Sequence, residues 1–107
     1  MIKVIYDRER SLVTIDGHAG WDKDGRDIVC AAVSAITYTI ANAIDNMKDA
    51  GHISARQMKL NKGDAVIRWV PKKAYSAVIT LVVDAICAGY DLVAQQYPSH
   101  VTYEMKK

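Results

Sequence analysis

The chain has 107 residues, half of them hydrophobic, and its 14 basic and 12 acidic residues leave a net charge of +2. That length supports one buried core and not two, so residues 1–107 are expected to form a single domain, and the scattered charges exclude a strong electrostatic pull on nucleic acid or membrane. No run of about 18 apolar residues spans a bilayer, the start MIKVIYDRER lacks the features of a signal peptide, and Cys30 and Cys87 sit in apolar runs, so a cytoplasmic protein with two thiols is expected.

In chain order, Ile2, Val4 and Tyr6 alternate, and Leu12–Ile15 resume the pattern after the polar turn DRERS, which predicts a β-hairpin. From Ile28 the period changes. Val29, Val33, Ile36, Ile40, Ile44 and Met47 recur at helical steps and predict a long helix ending at Gly51. QMKLNKGDAVIRWVP reads as two short strands around the turn Lys62-Gly63-Asp64, closed by Pro71. Between Lys73 and about Gln96, Tyr75, Val78, Val82, Ile86, Tyr90 and Val93 mark a second helical stripe, and His100 to Met105 suits a last strand. The order ββαββαβ predicts an α/β two-layer sandwich, a largely antiparallel sheet with two long helices on one face.

The stretch GHAGWDKDGRDIVCAAVSA, residues 17–35, carries the chemistry. Asp27 precedes the first periodic apolar residue and is the natural N-cap, which puts Cys30 at the third helical position. A thiol there lies near unpaired backbone N–H groups and the positive end of the helix dipole, and both favour thiolate. His18, between Gly17 and Gly20 at the end of the second strand, is placed to meet it as a general base and acid. On pattern alone, however, the ordinary readings take precedence. Cys30 could fill space beside Val29 and Val33, His18 could be a turn histidine, Gly17, Gly20 and Gly25 could only shape a turn, and Ser34 could bond its own helix. A calcium loop is excluded because the glycine of WDKDG falls at the fourth position and no glutamate closes the twelfth. Cys30, Cys87, His18, His52 and His100 show no paired metal-ligand spacing, so neither a metal nor a cofactor is expected. Cys87 reads as core, and His52 and His100 carry no motif.

Gly17-His18-Ala19-Gly20, an intervening loop, Gly25, and Asp27-Ile28-Val29-Cys30-Ala31-Ala32-Val33-Ser34-Ala35 together resemble the signature of the ribosomal-processing cysteine protease family Prp (YsxB-like). The resemblance implies a dyad of Cys30 as nucleophile and His18 as general base and acid. It matches Asp27 and Ser34 to the family's aspartate and serine, suggesting Asp27 as cap and orienter of His18, and Ser34 as a site-lining hydroxyl. It further implies a homodimer whose substrate is the short N-terminal extension of a large-subunit ribosomal protein. A phage-type protease for head proteins and a catalytically silent ribosome-associated binding module are the alternatives. The loop differs from the family in Trp21-Asp22-Lys23-Asp24, where relatives often carry a tyrosine and fewer charges. With that resemblance, backbone N–H groups at the helix start are expected to hold the oxyanion, and the loop from Gly20 to Gly25 to close over peptide, carrying Trp21 toward the substrate or an apolar seat.

Overall fold

The computed structural model describes residues 1–23 and 27–107 and runs β1 (Ile2–Asp7), β2 (Leu12–Asp16), α1 (Ile28–Asp49), β3 (Ile53–Asn61), β4 (Asp64–Pro71), a 3-10 turn (Lys73–Tyr75), α2 (Ser76–Gln96) and β5 (Val101–Lys106). The order matches the pattern read from the sequence. Side chains alternate across a strand, so Ile2, Val4 and Tyr6 of β1, Val13 and Ile15 of β2, and Ala65, Ile67 and Trp69 of β4 all face one layer. There they meet Val29, Val33, Ile40 and Ile44 of α1 and Ile79, Val83, Cys87 and Tyr90 of α2 in one core. The strand order is β3-β4-β2-β1-β5. Among the described residues three pairings are antiparallel and one, β1 with β5, is parallel, with Ile2 opposite Val101.

Several details depart from the sequence reading. The second hairpin is longer, because β3 begins at Ile53, and tighter, because Asn61 pairs with Asp64 and leaves a two-residue turn, Lys62-Gly63. On α1 the buried positions include Thr37, while Ile36 is only partly buried. Thr37 tolerates burial because its hydroxyl bonds the Val33 carbonyl at 2.8 Å and the Tyr90 hydroxyl at 2.7 Å, tying the helices together. Ile36 instead approaches Gly89 of α2, where an added Cβ would lie 3.1 Å from Ile36 Cδ1. On α2 the buried stripe is Ile79, Val83, Cys87 and Tyr90, one residue on from the predicted Val78, Val82 and Ile86. That helix is apolar nearly all round, so periodicity alone selects no unique inward face. Both helices are long and apolar enough by length and composition to cross a membrane, although neither is an unbroken apolar run, and each lays one face on the sheet.

Polar ties join the layers at the sheet's far end. The Tyr6 hydroxyl donates to Asp84 Oδ1 at 2.8 Å, and Arg8 pairs with the same carboxylate at 3.0 Å, linking β1 to α2. Burial, reinforced by the hydrogen bond to Asp84 and its charge, raises the Tyr6 phenol well above its ordinary pKa, so it stays a donor.

Candidate active site

β2 ends at Asp16 and α1 begins at Ile28, so the chain between them passes from the sheet to the helix start. Asp27 is the N-cap in extended conformation: its Oδ1 accepts from the N–H groups of Val29 at 3.0 Å and Cys30 at 2.9 Å. Its second oxygen, Oδ2, accepts from the Trp21 N–H at 3.0 Å. Burial on its own would raise the Asp27 carboxyl; the hydrogen bonds from Cys30 and Trp21 outweigh it and hold the group below the ordinary aspartate value. Asp27 thus caps the helix and ties the incoming chain to it. Its oxygens are engaged by these N–H groups and by the Cys30 side chain, and the expected orienting of His18 is not among the bonds they make.

The same bonds narrow the expected oxyanion donors. The Val29 and Cys30 N–H groups at the helix start are both engaged by Asp27. The N–H aimed at the Cys30 sulfur comes instead from Ala19, 3.4 Å from Sγ.

His18 and Cys30 line one cavity of about 310 Å³. Its walls include Gly17, Ser34, Thr37, Tyr38, Ile15, Val33 and Leu60, with the β3–β4 turn at Lys62-Gly63 as a rim. The half-buried Cys30 and the exposed His18 therefore border the same space. Two glycines shape the imidazole's place. Gly17 has φ +102°, and an added Cβ would fall 2.2 Å from the Met1 carbonyl oxygen, so no other residue fits without moving backbone. Its N–H donates to the Gly63 carbonyl at 2.9 Å, joining the end of β2 to the hairpin turn. Gly63 has φ +73°, and a Cβ there would lie 2.6 Å from His18 Nε2. The backbone carbonyl of His18 accepts from the Met1 ammonium at 2.5 Å.

The predicted residues divide accordingly. Gly17, His18, Cys30 and Ser34 surround the cavity; Asp27 sits behind it as the cap. Trp21 does not line it. Its indole meets the rings of Tyr97 and His100 edge-on, with centroids 5.1 and 5.3 Å away. Gly25, with Asp24 and Arg26, lies outside the described residues. The sequence reading passed over His100, whose Nδ1 is 2.7 Å from the Ala19 carbonyl, and Tyr97, because both lie about 80 residues downstream with no local motif. Among the described residues, no group of three His, Cys, Asp or Glu side chains is arranged to hold a metal ion.

Cys87 is a different kind of thiol. It is buried in α2, and burial pushes it up to about 12, with a hydrogen bond involving Tyr103 opposing the rise and the Asp84 charge adding to it. It packs the core and faces no cavity described above.

Comparison with known proteins is consistent across sequence and structure. Residues 1–102 match the family described as cysteine protease Prp. The fold is similar to that of an essential ribosomal processing protease Prp from S. aureus in complex with a covalently linked product peptide, with a TM-score of 0.78, 20% identity, and coverage of 99% of this chain and 100% of that one. The same S. aureus protease with a substrate peptide gives a TM-score of 0.72 at 19% identity, again covering 99% and 100%. A Streptococcus mutans protein gives 0.67 at 26% identity, covering 98% of this chain and 91% of that one. No curated protein matches the sequence.

Proposed function

We infer the function from one premise: this chain belongs to the cysteine protease Prp family. Our reading is that Cys30 is its nucleophile, that His18 is its general base and acid, and that its substrate is the N-terminal extension of a large-subunit ribosomal protein. The observation that carries the reading is the shared cavity, bordered by both Cys30 and His18, which suits a single peptide bond meeting the two. The similarity to a ribosomal processing protease with bound peptide supports the substrate class.

The chemistry follows from those two groups. His18 takes the thiol proton, and the Cys30 thiolate attacks the scissile carbonyl, forming the S–C bond and moving an electron pair onto oxygen. As the tetrahedral intermediate collapses, the C–N bond breaks and the imidazolium gives its proton to the departing amine. Water, deprotonated by His18, then cleaves the thioester and returns the thiol. The apolar side chains of Ile15, Val33 and Leu60 favour an apolar substrate side chain in the cavity, with the hydroxyls of Ser34 and Tyr38 available to the peptide backbone.

The enzyme acts as a cytoplasmic homodimer in this reading. Val78, Leu81 and Leu92 on α2 are 59, 68 and 55% exposed, and Ala85 and Ala88 continue the exposed row at steps of three and four. That spacing is the seam one helix presents to another, and a second copy of α2 is the partner that matches it.

The test is incubation with a peptide spanning the ribosomal-protein extension, followed by mass spectrometry. A single cut is expected, and Cys30→Ala and His18→Ala should each abolish it without loss of fold. Cleavage that persists in Cys30→Ala would sink the assignment.

A further inference from the structure

We propose that His100, on the turn between α2 and β5, is a positioning residue that sets the N–H facing the Cys30 sulfur. His100 Nδ1 lies 2.7 Å from the Ala19 carbonyl oxygen. A carbonyl only accepts, so Nδ1 is the protonated nitrogen in this contact. Ala19 is itself buried at 3% exposure, and its own N–H reaches Cys30 Sγ at 3.4 Å. The two bonds belong to neighbouring peptide units that meet at the Ala19 Cα: the unit carrying the N–H is also held through the His18 carbonyl by the Met1 ammonium, and His100 holds the unit on its other side, which limits how far the first can turn. A second link runs in parallel. The Trp21 indole and the His100 ring meet in a T-shaped contact, and the Trp21 backbone N–H donates to Asp27, the cap of the helix that bears Cys30.

His100 is suited to this work because its own backbone is fixed on both sides. Its N–H donates to the Tyr97 carbonyl at 2.9 Å, and its carbonyl accepts from the Ile2 N–H of β1 at 2.8 Å. The imidazole thus stands on a turn braced by α2 and the sheet, and it reaches across to a segment with no regular structure of its own. The Cys30 side chain also meets the Asp27 carboxylate, which opposes a negative sulfur, and shares its cavity with His18; substitutions at His100 leave both in place, so what they change is the Ala19 donor, and a hydrogen bond to a charged form stabilises that form. Losing the pin on Ala19 frees the chain to turn that donor away.

The inference rests on Cys30 being the reactive thiol of the proposed protease, but its test reads the sulfur directly and needs no peptide cleavage. Alkylation of Cys30 by iodoacetamide is followed across pH, with the modified peptide identified by mass spectrometry, in the wild type, His100→Phe and His100→Asn. Phenylalanine keeps a ring for Trp21 and removes the donor, whereas asparagine restores a donor near the place of Nδ1. His100→Phe is expected to slow alkylation near neutrality about five- to tenfold, the size of one ordinary net hydrogen bond, and to move the profile to higher pH. His100→Asn should stay within about twofold of wild type. A wild-type profile in folded His100→Phe would overturn the proposal. Should that variant not fold, His100→Gln, whose donor sits near the place of Nε2, takes its part: a shifted profile supports the proposal and an unshifted one overturns it. If these shifts appear while the wild type cuts no ribosomal extension peptide, the substrate assignment fails and the positioning role stands.

Discussion

The His18 imidazole lies against the backbone of Gly63, so close that a single methyl group at position 63 would fall 2.6 Å from Nε2. The hairpin turn is therefore a wall of the site, and its lack of a side chain makes room for the proposed base. Gly63→Ala should push the exposed imidazole aside, because the far end of a side chain yields more easily than backbone. The left-handed φ of Gly63 adds about 1 kcal/mol of strain for alanine. We expect kcat/KM for peptide cleavage to fall about tenfold or more while stability drops by only that small amount, since misplacing a catalytic group by about 1 Å is costly. Equal losses in both, measured by kinetics and thermal melting, would remove the turn from the mechanism.

Asp27→Ala should cost about 1–2 kcal/mol as the loss of an N-cap, and it should release the backbone of Trp21 at the same time. The pH dependence has a definite sign. A carboxyl with a lowered folded pKa binds fewer protons than in the unfolded chain around pH 4, so its stabilisation is present above the unfolded value and fades as pH falls through the folded one. Urea melts across that acidic range should be less steep in pH for Asp27→Asn than for wild type. Identical slopes would contradict the role given to the carboxylate.

The two thiols should separate chemically. With its pKa raised to about 12, Cys87 remains a thiol in the folded state at pH 8, so folded Cys30→Ala should take up essentially no iodoacetamide and should label at Cys87 only after denaturation. Because the unfolded thiol ionises near 8.5, Cys87 also withdraws stability as pH rises above that value. Cys87→Ala should cost about 1–2 kcal/mol of packing with little change in cleavage.

Leu81→Glu places a charge in the middle of the exposed apolar row of α2. Sedimentation should show wild-type dimers and Leu81→Glu monomers, with the monomer keeping the wild-type circular dichroism. Dimers of unchanged affinity in the variant would move the interface away from this face.

Local signals carried much of this molecule. Alternation in Ile2, Val4 and Tyr6, the steps from Val29 to Ile44, and the cap at Asp27 are all decided within a few residues, and each matches the structure. His18 and Cys30 are read from one continuous stretch and share one cavity. What escaped is what depends on distant chain. The inward face of α2 is chosen by tertiary packing, because the helix offers apolar residues on several sides. Two of the N–H groups at the helix start, those of Val29 and Cys30, are taken by Asp27, a competition that spacing alone does not reveal. The seat of Trp21 on Tyr97 and His100 joins segments nearly 80 residues apart that share no motif.

The parallel pairing of β1 with β5 brings Ile2 opposite Val101, and His100 stands immediately before that contact. Closing so long a loop is the entropically slowest step available to this topology. The brace behind the cysteine is therefore expected among the last parts to form during folding, and a chain still lacking its final strand would hold the proposed dyad without its support. Stopped-flow refolding should show this as a delay: iodoacetamide reactivity of Cys30 reaches its native rate only after most helical signal has returned. Recovery of both in a single early phase would show that the sulfur's surroundings assemble without the last strand.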